Sequence, residues 1–421
     1  LSSIEYFDIQ GNINIYSSCL IQTKGFAPLI FVGTETEIYC IVSNTLLPLS
    51  FSSLLPGKKN EKVVSLSGTS AKSKHPMKVI LSIGTMNAET HQCALYALDV
   101  QVFPFSSSKK GRPSNSSPDY SLQVGSLNSL AFPGDQGIRQ ISSRLRILSN
   151  DQTAPLFLAC THTTFQGFFK SPTGCLPIKL KPLFPELSSS ILQCDSRIVR
   201  FDMFELASWR FVVIGFENGL LHLTKTNMDD FSIRRSQKLL SGPLSTTSLF
   251  MQYHAVNKLD VHPLLSSLNK DVSSRCSSPS LQTINLVVGG ALGSLILFRD
   301  ISSDSPFSRS QVLCSHSETV MCVHTCDLDA SGYTDLLVGF YDGFVSIFSF
   351  SPDEDTYRHV FKVRQPGPVY GIFGSDLYRD GIRHIIIVLM NGVSIMRGSF
   401  SDNLSILKSR LLRLVSLRDH E

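Results

Sequence analysis

The sequence predicts an all-β chain, a single seven-bladed β-propeller followed by a short C-terminal helix. Three observations point there. An apolar run, a short polar turn and a second apolar run recur seven times in 421 residues. The copies return about every 50 residues, the spacing of a ring of multi-stranded units. Charged residues are 17% of the chain against 42% hydrophobic, which suits short strands buried on both faces.

The copies are 29–42 (LIFVGTETEIYCIV), 79–98, 157–169, 211–223, 284–298, 336–348 (LLVGFYDGFVSIF) and 385–396 (IIIVLMNGVSIM). Each first run ends on an anchor: Gly33, Gly84, Cys160, Gly215, Gly289, Gly339 and Leu389. Glycine there tolerates close packing or unusual dihedrals. Asn218-Gly219, Asp342-Gly343 and Asn391-Gly392 read as tight hairpin turns, which favour positive φ. A ring of such hairpins protects its strand edges and brings the termini together.

The propeller is expected to span 1–400. Two Ser-, Pro- and Lys-rich stretches, about 105–119 and 264–280, fall in the two longest intervals between anchors. They read as exposed loop inserts, where added length costs little. Residues 401–421 read as an amphipathic helix with Leu404, Leu407, Leu411 and Leu414 on one stripe, Asp402 as N-cap, and Lys408, Arg410, Arg413 and Arg418 among them. That stripe either packs on the propeller rim or docks a partner, and the rim is the preferred reading.

Composition excludes several classes. A net charge of +4 with no basic stripe gives no argument for nucleic acid. The ten cysteines form no CxxC pair, so a reduced, cytoplasmic chain is expected. The first twenty residues lack a basic segment followed by an apolar run, and no stretch approaches the roughly 18 apolar residues of a membrane span. No membrane insertion is expected. The chain starts with Leu1 rather than Met, so native residues are expected before it.

The strongest polar constellation is 327–335 (DLDASGYTD). Asp327, Asp329, Ser331 and Asp335 place oxygens at positions 1, 3, 5 and 9 with Gly332 at 6, the pattern of a calcium-binding β-loop. Position 12 is Val338, so it is no EF-hand. The same residues serve equally as turn-forming acids, and that reading is preferred. The next unit, 376–384 (DLYRDGIRH), keeps Asp376, Asp380 and Gly381 but has Tyr378 and His384 in place of two ligands, so turn formation prevails there too. Cys322, His324 and Cys326 alternate as one buried strand face rather than a zinc site. Gly289 to Gly293 precedes a strand, not the helix a dinucleotide loop needs, and 68–73 (GTSAKS) lacks the glycine before lysine of a phosphate loop. Without a nucleophile, base or cofactor motif, no catalytic residue and no cofactor is assigned.

The chain resembles the kaptin family, β-propellers with FG-GAP-like repeats. The resemblance rests on 7–16 (FDIQGNINIY), 62–73 with 79–85, Phe184-Pro185-Glu186-Leu187, 320–348, and 376–396 running into the Leu/Arg-rich tail. It implies a non-enzymatic scaffold in the KICSTOR complex, which tethers the GATOR complex to lysosomes and restrains target-of-rapamycin signalling when nutrients are scarce. It also implies protein partners, including another FG-GAP-repeat propeller subunit, and a location in the cytoplasm and at the lysosomal surface. An alternative it carries is binding to actin filaments in cell projections. A calcium-dependent ligand-binding propeller is a further alternative, against which the cysteine pattern speaks.

Overall fold

Strands buried on both faces need neighbours on both faces, and a ring supplies them. In Asp335–Phe340 every residue is buried. Leu336 and Val338 pack toward the preceding unit while Leu337 packs toward the following one, the two-residue alternation of a strand. The computed structural model describes residues 2–22, 26–50, 60–70, 77–104, 120–131, 138–147, 153–171, 174–188, 196–240, 246–256, 281–315, 318–329, 331, 333–351 and 354–397.

The described residues form seven four-stranded antiparallel sheets, so the predicted all-β propeller of seven blades is the observed one. Every repeat copy supplies the second and third strands of a blade. They run from Leu29–Thr34 with Ile38–Val42 in blade 1 to His384–Leu389 with Gly392–Arg397 in blade 7. The first strand of each blade lies innermost, next to its counterparts in neighbouring blades: Ile13–Ile21, Glu61–Ser70, Gln140–Ile147, Ile198–Leu206, Thr246–Val256, Val320–Cys326 and Val369–Ser375. Seven apolar clusters each fill the gap between two neighbouring blades, and the seventh joins blade 7 to blade 1 through Ile386, Val388, Ile30 and Val32.

Blade 7 is closed by the other end of the chain. Its outer strand is Ser2–Asp8, paired antiparallel with Gly392–Arg397 from Ser2↔Arg397 to Asp8↔Gly392. Backbone bonds repeat at the blade junctions. Ile13 N–H donates to Met390 O (2.9 Å), Val63 to Glu35 O (3.0 Å) and Ile198 to His162 O (2.7 Å), each to the hairpin turn of the preceding blade.

The anchor glycines mark close blade contact. A Cβ on Gly339 would stand 2.4 Å from Val369 Cγ1 of blade 7. Blade 7 has Leu389 at its anchor and supplies the room from its inner strand instead: a Cβ on Gly371 would meet Ser18 Oγ of blade 1 at 2.7 Å. Gly219 and Gly343 have the positive φ expected of tight turns. Gly392 does not; a side chain there would collide with Tyr6 on the closing strand. Inserts 105–119 and 264–280 and the tail helix 401–421 lie outside the described residues.

One feature departs from strand grammar. Between blades 3 and 4 the chain makes a helical turn, Leu180–Leu183, and a 3-10 turn, Pro185–Leu187. They set Glu186 against Arg210 of the second strand in blade 4. Both side chains are 0% exposed, with Arg210 Nε donating to Glu186 Oε1 at 2.5 Å. Arg210 Nη2 donates to Leu183 O (2.6 Å), and the guanidinium lies 4.2 Å from the Phe184 ring centre. Proline at the start of the 3-10 turn has no N–H to satisfy, and the segment FPEL is thereby the wall of a buried charge pair.

Candidate functional site

Polar residues gather where the inner strand of blades 6 and 7 passes into the second strand. In blade 6 this passage is the acidic loop. Asp335 opens the second strand opposite Cys326 and is 2% exposed. Its Oδ2 accepts the Leu328 N–H at 3.0 Å. Asp329 Oδ1 accepts the Ser331 N–H (2.9 Å), and Ser331 Oγ accepts the Tyr333 N–H (3.3 Å). Asp327, Asp329 and Asp335 bring a carboxylate oxygen each within 4.8 Å of one another. Burial pushes the Asp335 carboxyl up to about 7; hydrogen bonds from Ser349 and Leu328 oppose the rise, and the charges of Asp329 and Asp327 add to it. The loop thus unites the predicted residues. Its oxygens suit a hard cation, which takes roughly 6–8 of them, yet Asp329 and Ser331 are already holding their own turn.

In blade 7 the equivalent passage holds Asp376, Asp380 and His384, whose ligating atoms also lie within 4.8 Å of one another. Asp376 accepts the N–H groups of Asp380 (3.1 Å) and Gly381 (3.0 Å). Asp380 accepts the Ile382 N–H (3.0 Å) and pairs with Arg397. His384 opens the second strand, the place Asp335 has in blade 6, and is 0% exposed. Neither of its ring nitrogens makes a hydrogen bond of good geometry, although the backbone of Ser375, opposite it in the strand pair, still favours the ring proton. The Tyr378 ring stands edge-on to it at 4.6 Å, and the Tyr378 hydroxyl donates to Glu5 on the closing strand. Burial lowers the His384 pKa; Asp380 pulls it up, Arg397 lowers it, and Asp376 and the Ser375 backbone pull it up.

The other predicted residues fall elsewhere. Cys322 and Cys326 pack into the cluster between blades 6 and 7, and His324 lies on the same side with its ring 5.8 Å from Phe373. Burial pushes the Cys322 thiol up to about 12 and holds His324 down at about 4. Gly290 to Gly293 forms a hairpin turn, closed by Gly293 N–H to Gly290 O at 3.1 Å. Leu404, Leu407, Leu411 and Leu414 lie outside the described residues. The eight cysteines among the described residues are free thiols.

Sequence reasoning missed the central channel. A cavity of about 410 Å³ is lined by inner-strand residues including Tyr16, Gln140, Arg200, His324 and Phe373. Arg200 Nη2 donates to Ile15 O (3.2 Å) with its guanidinium 4.4 Å from the Tyr16 ring centre, and the Tyr16 hydroxyl donates to Val199 O (2.9 Å). Gln140 bonds both N–H and C=O of Phe201. These bonds tie blades 1 and 3 to blade 4 around the channel. The available signal was Arg200 among the apolar residues that open the strand Ile198–Leu206.

A family model described as KICSTOR complex protein kaptin matches residues 178–408, over half of the chain. The chain belongs to the kaptin family. The match contains the buried Glu186–Arg210 pair and both acidic loops. The KICSTOR complex protein kaptin of Mus musculus is 21% identical over 283 residues, covering 64% of this chain and 60% of the mouse protein. Among solved structures, that of U3-55K superposes with a TM-score of 0.51 at 10% identity, covering 94% of this chain and 98% of that one, which speaks to the fold alone. Saccharomyces cerevisiae Sqt1 gives a TM-score of 0.49 at 12% identity, with 93% and 98% covered.

Proposed function

We propose that this chain is a non-enzymatic scaffold subunit of a KICSTOR-like complex, holding protein partners that tether the GATOR complex at the lysosomal surface and restrain target-of-rapamycin signalling. The observation that carries the reading is the family match over residues 178–408. The fold supports it, because a ring of blades offers broad surfaces and rigid loops for partners. Asp329, Ser331, Asp376 and Asp380 in the two inner loops hold their own turns, which fits a binding role better than turnover.

Affinity purification of the full chain from its native cells, read by mass spectrometry, tests the proposal. The expected result is a stoichiometric set of partners that includes a second FG-GAP-repeat propeller, with release of the GATOR complex from lysosomes when the chain is depleted. Recovery of actin alone, with co-sedimentation on purified filaments, would replace the proposal with a cytoskeletal role.

A further inference from the structure

The blade 7 loop holds a buried side chain that turn formation does not explain. His384 is 0% exposed, and neither ring nitrogen makes a hydrogen bond of good geometry. Buried polar atoms are ordinarily satisfied, and an imidazole is a common metal ligand. Its nitrogen shares one small space with carboxylate oxygens of Asp376 and Asp380. Their existing bonds leave room for more, since a carboxylate offers about four acceptor positions.

We propose that Asp376, Asp380 and His384 form a three-ligand site for a borderline divalent transition cation of the zinc class, set at the seam where the ring closes. The donor set chooses the cation. One imidazole and two carboxylates suit zinc, which takes nitrogen and oxygen ligands in sites that leave a position for water. Calcium binds through oxygen alone, so the substitution of His384 for the acid found in blade 6 turns the site away from it. Arg397 competes: its guanidinium pairs with Asp380 from a side chain that is 43% exposed, free to swing into solvent. Arg397 also faces Ser2 across the closing pair, and Tyr378 in the same loop bonds to Glu5. A cation here joins the loop, the second strand and the neighbourhood of the N-terminal strand.

The test uses the full chain, stripped with a chelator and desalted, and titrated with cobalt(II) as the spectroscopic probe, with zinc, calcium and magnesium as competitors. One equivalent of cobalt with ligand-field bands and no thiolate charge-transfer band is expected, displaced by zinc and unaffected by calcium or magnesium. His384→Leu is expected to weaken binding at least tenfold. Asp380→Asn, a change in an exposed part of the loop, tests the same site without touching the core and is expected to weaken it severalfold. Arg397→Gln is expected to tighten it by removing the competitor. Zinc should raise the melting temperature of the parent chain more than that of Asp380→Asn at the same concentration. A thiolate band, undiminished binding in both His384→Leu and Asp380→Asn, equal competition by calcium, or no binding at all overturns the proposal.

Discussion

Blades 6 and 7 carry the same loop with opposite contents. Asp327, Ser331 and Asp335 of blade 6 correspond to Asp376, Asp380 and His384 of blade 7, and in both the last of the three opens a strand and is buried. Burial disfavours the charged form of both, raising the acid's pKa to about 7 and lowering that of the imidazole. The slot therefore favours the neutral form of either group. What differs is what a neutral group can still do: a protonated carboxyl donates a hydrogen bond, and a neutral imidazole presents a lone pair.

A buried carboxylate with a cation beside it gives the reference for that comparison. Glu186 keeps its partner in Arg210. Arg210→Ala is expected to cost about 3–5 kcal/mol, since it leaves a buried acid uncompensated. Chemical denaturation at neutral pH would measure this. A loss below about 1 kcal/mol would mean that burial in this ring does not penalise charge, and the contrast between the two loops would lose its basis.

The second test separates the loops by pH. Asp335 has a folded pKa raised from 3.8 to about 7. Its contribution is present in full below 3.8 and is lost as pH rises through about 7. His384, lowered from 6.5, contributes above 6.5 and loses that as pH falls through its folded value. Asp335→Asn, which keeps an acceptor for the Leu328 N–H, is expected to stabilise the chain by about 1–2 kcal/mol at pH 8 and to change little at pH 4. Melting temperatures from pH 4 to 8 would show the parent and variant curves diverging upward. Parallel curves would place Asp335 in the ordinary carboxylate range and remove the likeness to His384.

How far these features could be read from sequence follows from their range. The second strand of each blade was legible because its residues are mostly buried on both faces and read as a largely apolar run, with the third strand following after a short turn. Outer strands such as Thr356–Arg364, with Arg358, His359 and Val360 exposed, carry no such signal. Closure by Ser2–Asp8 pairs residues from opposite ends of the chain, which no local pattern encodes. The segment 184–187 was visible as something strand physics does not require, but its reason, Arg210, lies beyond a blade boundary. The blade 6 loop was legible as a cluster because its acids are close in sequence. In blade 7 the same spacing was legible and the meaning of His384 was not, because its burial without a hydrogen bond of good geometry is a property of the packed ring.

The smallest expected effect probes the part of the comparison that rests on turn chemistry. Asp329 in blade 6 has Tyr378 as its counterpart, so blade 7 folds the same passage without an acid there. In blade 6 the Asp329 carboxylate accepts the Ser331 N–H at 2.9 Å, a local bond near solvent. Asp329→Ala should therefore cost about 0.5–1 kcal/mol, the worth of one such bond. If turn formation is its whole role, millimolar calcium will leave the melting temperatures of parent and variant where they were. Were Asp329 a ligand, calcium would raise the parent's melting temperature by an amount set by its affinity, and the variant would lose that rise. Calorimetric calcium binding in the sub-micromolar range that disappears in Asp329→Ala would make blade 6 the hard-cation loop. The two blades would then differ in which metal they take, and no longer in whether they take one.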